Sequence, residues 1–513
     1  MDELRRKQLR NMVAVGATSA DSARLWMRSE TAGPHELEVW PARAPTTIAR
    51  VPIAITPGNV SDNTTSVRYP SDFPGVAPLK PLHRYGFRVR RVADGTPLGE
   101  GRFETAPAGP SATPKRYSFA FMSCHQPFNS DGVVSARAMR VLRLLPKTLA
   151  DHDAKFVLLC GDQVYADAPG EFSLLKTWYA ERIRPGGGSM LGWPVPDVRR
   201  AYQERYRVFW HMNEIRHLYA NYPCYPMLDD HEIMDDWGSE AAHASAPFQS
   251  VQQGARQEYV DYQGSRVAAS GAIMPASFHY SFRYGSLACF VMDVRSERAV
   301  GRPSPIYGRQ QLADLQAFLR ASTASRVVLI VTSVPVVHIA PWIADVGGTV
   351  LGTASDLPDH CRFGPYDQAR NALLRAIHSH QAAHPDQRVV LLSGDVHLGC
   401  AFAIHWQGGT KPILYQFTSS AVSNLQKRFE IGLQGVGVQQ FQPLSCGRKG
   451  PSARVNLLVG AGSTAYRNPF TDLNVGIVEV TDRGDHSNVK LKLMGPPKED
   501  GPAAVEMFVS GEL

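Results

Sequence analysis

Val389 to His397 reads VVLLSGDVH: four apolar residues that stop abruptly at Ser-Gly-Asp-Val-His. A short apolar run of this kind suits a strand buried on both faces. The same pattern recurs along the chain. Tyr117–Met122 ends at Ser-Cys-His-Gln, Phe156–Cys160 at Gly-Asp, Leu287–Met292 at Asp-Val-Arg, and Val327–Val331 at Thr-Ser. Between these runs, Ser135–Leu149, Arg309–Arg320 and Arg370–His378 carry apolar residues at helical spacing. Strand, loop, helix, strand is the rhythm of an α/β layered domain, in which ligand groups collect in loops at the C-terminal ends of strands.

The flanks differ. Ala23–Arg28, Glu36–Trp40 and Tyr85–Arg91 alternate apolar and polar residues, with Pro, Gly, Asn and Asp clustered between them. This predicts a small all-β sandwich of the immunoglobulin or fibronectin type over residues 1–110. Thr105–Pro114, TAPAGPSATP, reads as a linker, so residues 111–513 form the second unit. The stretch Ala180–Asp197, with three consecutive glycines, reads as a surface loop. Three late apolar runs, Arg454–Gly460, Asn474–Val480 and Val489–Met494, read as strands completing a sheet of the second unit.

Composition narrows the function. The chain has 513 residues, 43% hydrophobic and 20% charged, which excludes a disordered or fibrous protein. Its net charge of +7 suits an anionic substrate but is too diluted for nucleic acid, and no nucleic-acid-binding motif is visible. None of the seven cysteines forms a CxxC pair, so neither a disulfide scaffold nor a four-thiolate zinc site is expected. The N-terminal MDELRRKQLRNM lacks a following apolar stretch. The longest apolar run, Val327–Ile343, is broken by Pro335, His338 and Pro341. No membrane segment is expected, and a soluble, cytoplasmic protein is the simplest reading.

Four of the strand ends carry chemistry. In Gly161-Asp162-Gln163-Val164-Tyr165, the carboxylate is a hard oxygen ligand able to bridge two cations, and the phenol is a rarer ligand favouring a hard, trivalent metal. Read alone, these residues are equally an Asp cap with a core tyrosine. Asp229-Asp230-His231-Glu232 packs three carboxylates around an imidazole, an arrangement costly without cations and a natural acid–base unit. A solvated acidic turn is the bland reading. Asp395 and His397 lie two apart on an extended segment and so face one way, although a lone pair of this kind is more often structural. Cys124, within Ser123-Cys124-His125-Gln126, is either a thiolate ligand or, taken alone, a buried thiol. Together the four clusters supply enough ligands for two adjacent cations.

The order MSCHQPF, LLCGDQVYAD, LDDHEIMDDW and LLSGDVHLG resembles the PhoD-like alkaline phosphatases of the calcineurin-like metallophosphoesterases. VMDVRSER (Val291–Arg298) and the opening VAVGATSADSARLWMR are similar to further blocks of that family. The resemblance implies a four-layer αββα sandwich, an N-terminal accessory domain and phosphoester hydrolysis by a hydroxide activated between two metals. It implies Fe3+ and Ca2+, other pairs being known in the superfamily. Asp162 would bridge the metals. Cys124, Tyr165 and His397 would complete the iron side, and Asp230 and Asp395 the calcium side. His231 would be the general acid, with Glu232 orienting it. Oxygen ligands at 230 and 395, where many superfamily members have Asn and His, suit calcium.

Around this centre, Arg295 and Arg298 follow a strand end and are candidates for binding phosphate oxygens. For Arg295, a brace to Asp293 is the favoured alternative. His125 is a candidate substrate contact or a packing residue. The substrate class is a small phosphate mono- or diester. The competing readings are a non-catalytic binding protein with a degenerate metal centre, and a hydrolase using Cys124 as nucleophile without metal.

Overall fold

The computed structural model describes residues 8–56, 61–168, 170–268, 274–301, 303–340, 361, 364–408, 412–425, 437–438, 442–448, 450–484, 486–498 and 501–513. It is a mixed α/β chain, with four sheets and comparatively few helices among the described residues. Seven strands come first: β1 (Met12–Thr18), β2 (Ala23–Arg28), β3 (Gly33–Pro41), β4 (Ala49–Ile55), β5 (Thr64–Tyr69), β6 (Arg84–Arg91) and β7 (Pro97–Glu104). They pair antiparallel into two sheets, β1-β2-β5 and β4-β3-β6-β7. Alternation drives the pairing of faces. In β4, Val51, Ile53 and Ile55 are buried while Arg50, Pro52 and Ala54 are exposed. The inward residues of both sheets, among them Val15, Leu25, Leu37 and Phe87, make one core.

The remaining strands are β8 (Arg116–Met122), β9 (Ala154–Leu159), β10 (Cys224–Pro226), β11 (Tyr280–Tyr284), β12 (Leu287–Val291), β13 (Val327–Val331), β14 (Arg388–Ser393), β15 (Cys400–Trp406), β16 (Leu414–Thr418), β17 (Gln442–Ser445), β18 (Ser452–Leu457), β19 (Val475–Asp482), β20 (Ser487–Gly495) and β21 (Val505–Val509). They build a six-stranded sheet, β10-β9-β8-β19-β20-β21, and an eight-stranded sheet, β11-β12-β13-β14-β16-β15-β18-β17. The late strands therefore divide: β18 joins the larger sheet, β19 to β21 the smaller.

The apolar runs are buried on both faces, as their composition requires. Phe119 and Phe121 of β8 meet Cys289, Leu329 and Leu392 of the other sheet in a core between the two. Ala120 and Met122 point the opposite way, toward Leu142 and Leu145 of α1 (Arg140–Asp151). Burying each such large side chain contributes about 1.5–3 kcal/mol. On the larger sheet, Ile330 and Leu391 pack with Leu315 of the helix Arg309–Ala321 and Leu374 of the helix Asp367–Ala383.

Helices α2 (Thr177–Ile183), α3 (Val195–Phe209), α4 (Asn213–Asn221) and α5 (Ala246–Tyr262) precede α6 (Arg309–Ala321) and α7 (Asp367–Ala383). Two expectations are corrected here. The stretch 180–197 is a loop only over residues 184–194: α2 and α3 occupy its ends, and within the loop Met190 and Trp193 sink into a core with Tyr202 and Trp237. The helix read from Ser135 begins at Arg140: residues 136–139 are in turns, and the Ser135 N–H donates to Pro127 O. All seven cysteines are buried free thiols. No helix among the described residues is long and apolar enough to cross a membrane.

Candidate metal centre

Strands β8, β9 and β10 run parallel, as do β12, β13, β14 and β16. The loops that leave their C-terminal ends therefore meet at one edge of the two sheets. Cys124 follows β8, Asp162 and Tyr165 follow β9, Asp229–Glu232 follow β10, Arg295 follows β12, and Asp395 and His397 follow β14. The turns are tight. Cys124, Asp162, Asp395 and His397 all adopt positive φ, between 53° and 67°. Each such non-glycine conformation costs on the order of 1–3 kcal/mol and persists only where surrounding contacts enforce it. Gly394 lets two loops close together, since a Cβ there would strike the Ser123 side chain at 2.4 Å.

One donor set is all oxygen. Carboxylate atoms of Asp162, Asp229, Asp230 and Asp395 lie within 4.8 Å of one another. Asp162 is 1% exposed and Asp229 fully buried. Burial, followed by the neighbouring Cys124, pushes the Asp162 carboxyl well above its ordinary value. Burial raises Asp229 to about 6, even though Arg295 opposes the shift.

The second set is mixed and shares Asp162. Its Oδ2 is 3.3 Å from Cys124 Sγ and 3.2 Å from the Tyr165 hydroxyl, which in turn lies 3.5 Å from His397 Nε2. Burial pushes the Cys124 thiol up to about 12 and the Tyr165 phenol well up, and takes His397 down to about 3. His397 is thus neutral and able to ligate, whereas the thiol and phenol deprotonate only against a cation. Asn424, which the sequence reading missed, donates from Nδ2 to the Tyr165 oxygen at 3.1 Å and lies 3.2 Å from His397 Nε2. It sits beyond β16, another strand ending in polar residues, and that rule was the signal that pointed to it.

These residues fit a pair of cations. Asp162 Oδ1, Asp229 Oδ2 and Asp230 Oδ1 are buried without a hydrogen bond. Buried acceptors left this way cost roughly 1–3 kcal/mol each, and converging carboxylates repel. Positive charge between them removes both penalties.

His231 stands beside the oxygen set, a ring nitrogen falling within 4.8 Å of the Asp162 and Asp230 carboxylates. Its Nδ1 is 2.8 Å from Asp167 Oδ1, and its ring lies 3.9 Å from that of Tyr165. Burial disfavours the imidazolium, but Asp167, Asp230 and Asp162 outweigh it and hold the pKa well above the usual value. The expected partner, Glu232, is elsewhere. Its carboxylate accepts the backbone N–H groups of Asp162, Gln163 and Asp229 at 2.7–3.0 Å and Gln263 Nε2 at 3.0 Å. This corrects the reading that Glu232 orients His231: Glu232 closes a capping box with Asp229 and ties two loops together, and Asp167 orients the imidazole. Asp167 was legible inside GDQVYAD, two residues past Tyr165.

The candidate substrate residues divide differently from expectation. Arg295 is fully buried, with Nε 2.5 Å from Asp229 Oδ1 and Nη2 3.5 Å from both Asp230 Oδ1 and Asp395 Oδ1. Asp293 instead accepts the backbone N–H groups of Arg295 and Ser296, so the brace to Asp293 is made by the main chain and not the guanidinium. Arg298 turns to Tyr366, with Nε 3.2 Å from its hydroxyl and the guanidinium 4.4 Å from its ring centre. His125 is buried, 2.9 Å from Ser423 Oγ, and burial takes it down to about 4, which makes it a packing residue.

Removing Arg295 leaves Asp229 buried without its cation. Breaking a buried pair costs about 3–5 kcal/mol. Arg295→Met is therefore expected to lower the unfolding free energy of metal-free protein by about that amount in a urea titration.

Comparison with known proteins gives a family match and a shared fold. The family model described as PhoD-like phosphatase matches residues 119–443. Among solved structures, that of PhoD is 18% identical, with a TM-score of 0.66, covering 98% of this chain and 89% of the other. At that identity the likeness speaks to the fold. A Bacteroides uniformis β-glucuronidase 2 mutant (8% identity, TM-score 0.23, covering 94% of this chain and 60% of that one) is too dissimilar to carry an argument. The same holds for a glycosyl hydrolase family 2 member from Bacteroides cellulosilyticus (9%, 0.25, 98% and 64%). No curated protein matches the chain.

Proposed function

This chain belongs to the PhoD-like phosphatase family and is a metal-dependent phosphoric ester hydrolase, and on that premise we propose that it cleaves small phosphate mono- or diesters at a two-cation centre built on Asp162. The observation that carries the reading is that one buried carboxylate serves two chemically different donor sets. Its Oδ2 faces Cys124 and Tyr165, while Asp229, Asp230 and Asp395 crowd its oxygen side. Thiolate, phenolate and imidazole from Cys124, Tyr165 and His397 suit Fe3+, and the carboxylates of Asp230 and Asp395 suit Ca2+. When bound, such a pair polarises phosphoryl oxygens and lowers the pKa of water toward neutrality.

The chain's own part is to place charge and protons. Asp167 holds His231 Nδ1, which leaves Nε2 to give its proton to the departing alkoxide. Arg295 keeps Asp229 and Asp230 in place from behind, in preference to binding phosphate itself. The two large sheets with helices on their outer faces read as a four-layer αββα sandwich, and the first seven strands as an immunoglobulin- or fibronectin-like domain over residues 1–110 ahead of a catalytic unit at 111–513.

Hydrolysis of p-nitrophenyl phosphate and bis(p-nitrophenyl) phosphate, before and after chelation, tests the function. Turnover of at least one ester, lost on chelation and restored by metal, is expected. Metal-replete protein inert toward both would favour the binding-protein reading. A Tyr165–Fe3+ bond also predicts a visible charge-transfer band that vanishes in Tyr165→Phe. Colourless, iron-replete protein would remove Tyr165 from the ligand set.

A further inference from the structure

Gln163 follows Asp162 directly, is fully buried, and belongs to neither donor set. Its polar groups are nonetheless all engaged. The N–H donates to Glu232 Oε1 at 2.7 Å, and Nε2 donates to Gly161 O at 2.7 Å. Oε1 accepts the Tyr219 hydroxyl at 3.2 Å, and the carbonyl accepts Trp210 Nε1 at 3.3 Å. Gln163 thus holds the turn on both sides of Asp162, by its side chain at Gly161 and by its own main chain at Glu232 and Trp210; the Asp162 backbone has φ +57°.

The two aromatic donors are themselves seated on the N-terminal strands. Trp210 and Tyr219 meet edge to face at 4.9 Å. The buried Arg266 guanidinium lies 4.3 Å from the Tyr219 ring centre and 5.4 Å from that of Trp210, with no carboxylate paired to it among the described residues. A cation over ring faces fixes the orientation of those rings. From β2, Trp26 packs edge-on against Trp210 at 5.9 Å and donates Nε1–H to Asp261 O at 2.7 Å. From β1, Gly16 approaches so closely that an added Cβ would lie 2.0 Å from Arg266 O. From β5, Ser66 Oγ donates to Ser265 O at 2.8 Å.

We infer that Gln163 is a positioning residue for Asp162, and that the N-terminal sheets act on the metal centre through Trp26, Trp210, Tyr219 and Arg266. The accessory strands are then part of the enzyme's metal-holding apparatus. Their contribution arrives as hydrogen-bond geometry at one turn, with no residue of theirs in the centre. This rests on Asp162 being a shared metal ligand.

The test is a double-mutant cycle on metal retention in the holoenzyme. Gln163→Met and Tyr219→Phe, singly and together, are incubated with graded EDTA, and bound metal per chain is measured by mass spectrometry beside kcat, KM and the unfolding midpoint. Each single variant is expected to lose metal at roughly tenfold lower EDTA, with kcat lowered and KM little changed. The double variant should be no worse than the more severe single one, because both remove the same link. Trp26→Leu should shift retention in the same direction by a smaller factor. Additive losses, or losses that follow the unfolding midpoint alone, would overturn the inference. So would wild-type metal retention in Tyr219→Phe, a variant that deletes one hydroxyl and little else. Asp162→Asn separates the two failures: if it retains full metal, the shared-ligand reading is wrong. If it loses metal while the Gln163 and Tyr219 variants do not, only the positioning role is.

Discussion

Asp162→Asn is expected to lose bound metal and phosphoester hydrolysis together. The substitution keeps the size of the side chain and the turn at positive φ, but replaces an anionic oxygen shared by both donor sets with a neutral amide. Its Oδ2 is the atom facing Cys124 and Tyr165, and its Oδ1 is buried without a hydrogen bond. An amide places an N–H group or a weaker, single-donor oxygen there, so neither cation can be bridged. Removal of the charge also relieves the burial penalty and, after it, the repulsion from neighbouring groups that together raise the Asp162 carboxyl. The metal-free variant is therefore expected to be no less stable than metal-free wild type, a contrast that urea titration of the two apo-proteins can check. Metal content and turnover should fall in parallel. Turnover lost with metals retained would move Asp162 from ligand to another role.

His231→Ala is expected to show the reverse pattern: metals retained and turnover lowered by roughly 10²–10⁴-fold, the share usual for a general acid. The structure adds a pH signature. A general acid works while protonated, so turnover falls as pH rises through its pKa. Burial lowers the His231 pKa, and Asp167, with Asp230 and Asp162, more than compensates. Asp167→Asn removes the largest compensating charge, so the alkaline limb of the rate profile should move to lower pH. Glu232→Gln, which touches loop N–H groups and not the imidazole, should leave that limb in place while weakening the loops it joins. A limb that shifts with Glu232→Gln and stays fixed with Asp167→Asn would invert the assignment.

Much of this centre was legible because its chemistry is local. An apolar run ending in a polar cluster marks a buried strand and the loop after it, and the strand ends at Cys124, Asp162 and Asp395 converge in space as that pattern implies. What the sequence hid depends on side-chain direction. Glu232 adjoins His231 in the chain, yet in a single 3-10 turn the two point apart, and the imidazole finds Asp167 sixty-four positions away. Arg295 was weighed between phosphate and Asp293. Its guanidinium instead threads toward Asp229, a choice set by a buried acidic cluster assembled from three loops. His125 stands beside a ligand but takes the opposite face of its strand end, where Ser423 and Phe209 enclose it. The N-terminal strands showed their alternation, but nothing in ARLWMR announced that Trp26 would face a tryptophan nearly two hundred residues away.

The roles assigned to these residues depend on where the cations lie. Anomalous diffraction from crystals of metal-loaded protein soaked with phosphate reads this directly. The expected result is two peaks sharing Asp162, one flanked by Cys124, Tyr165 and His397, the other by Asp230 and Asp395, with phosphate between them and His231. A single peak, or a pair of peaks that leaves Asp162 without a metal contact, would contradict it.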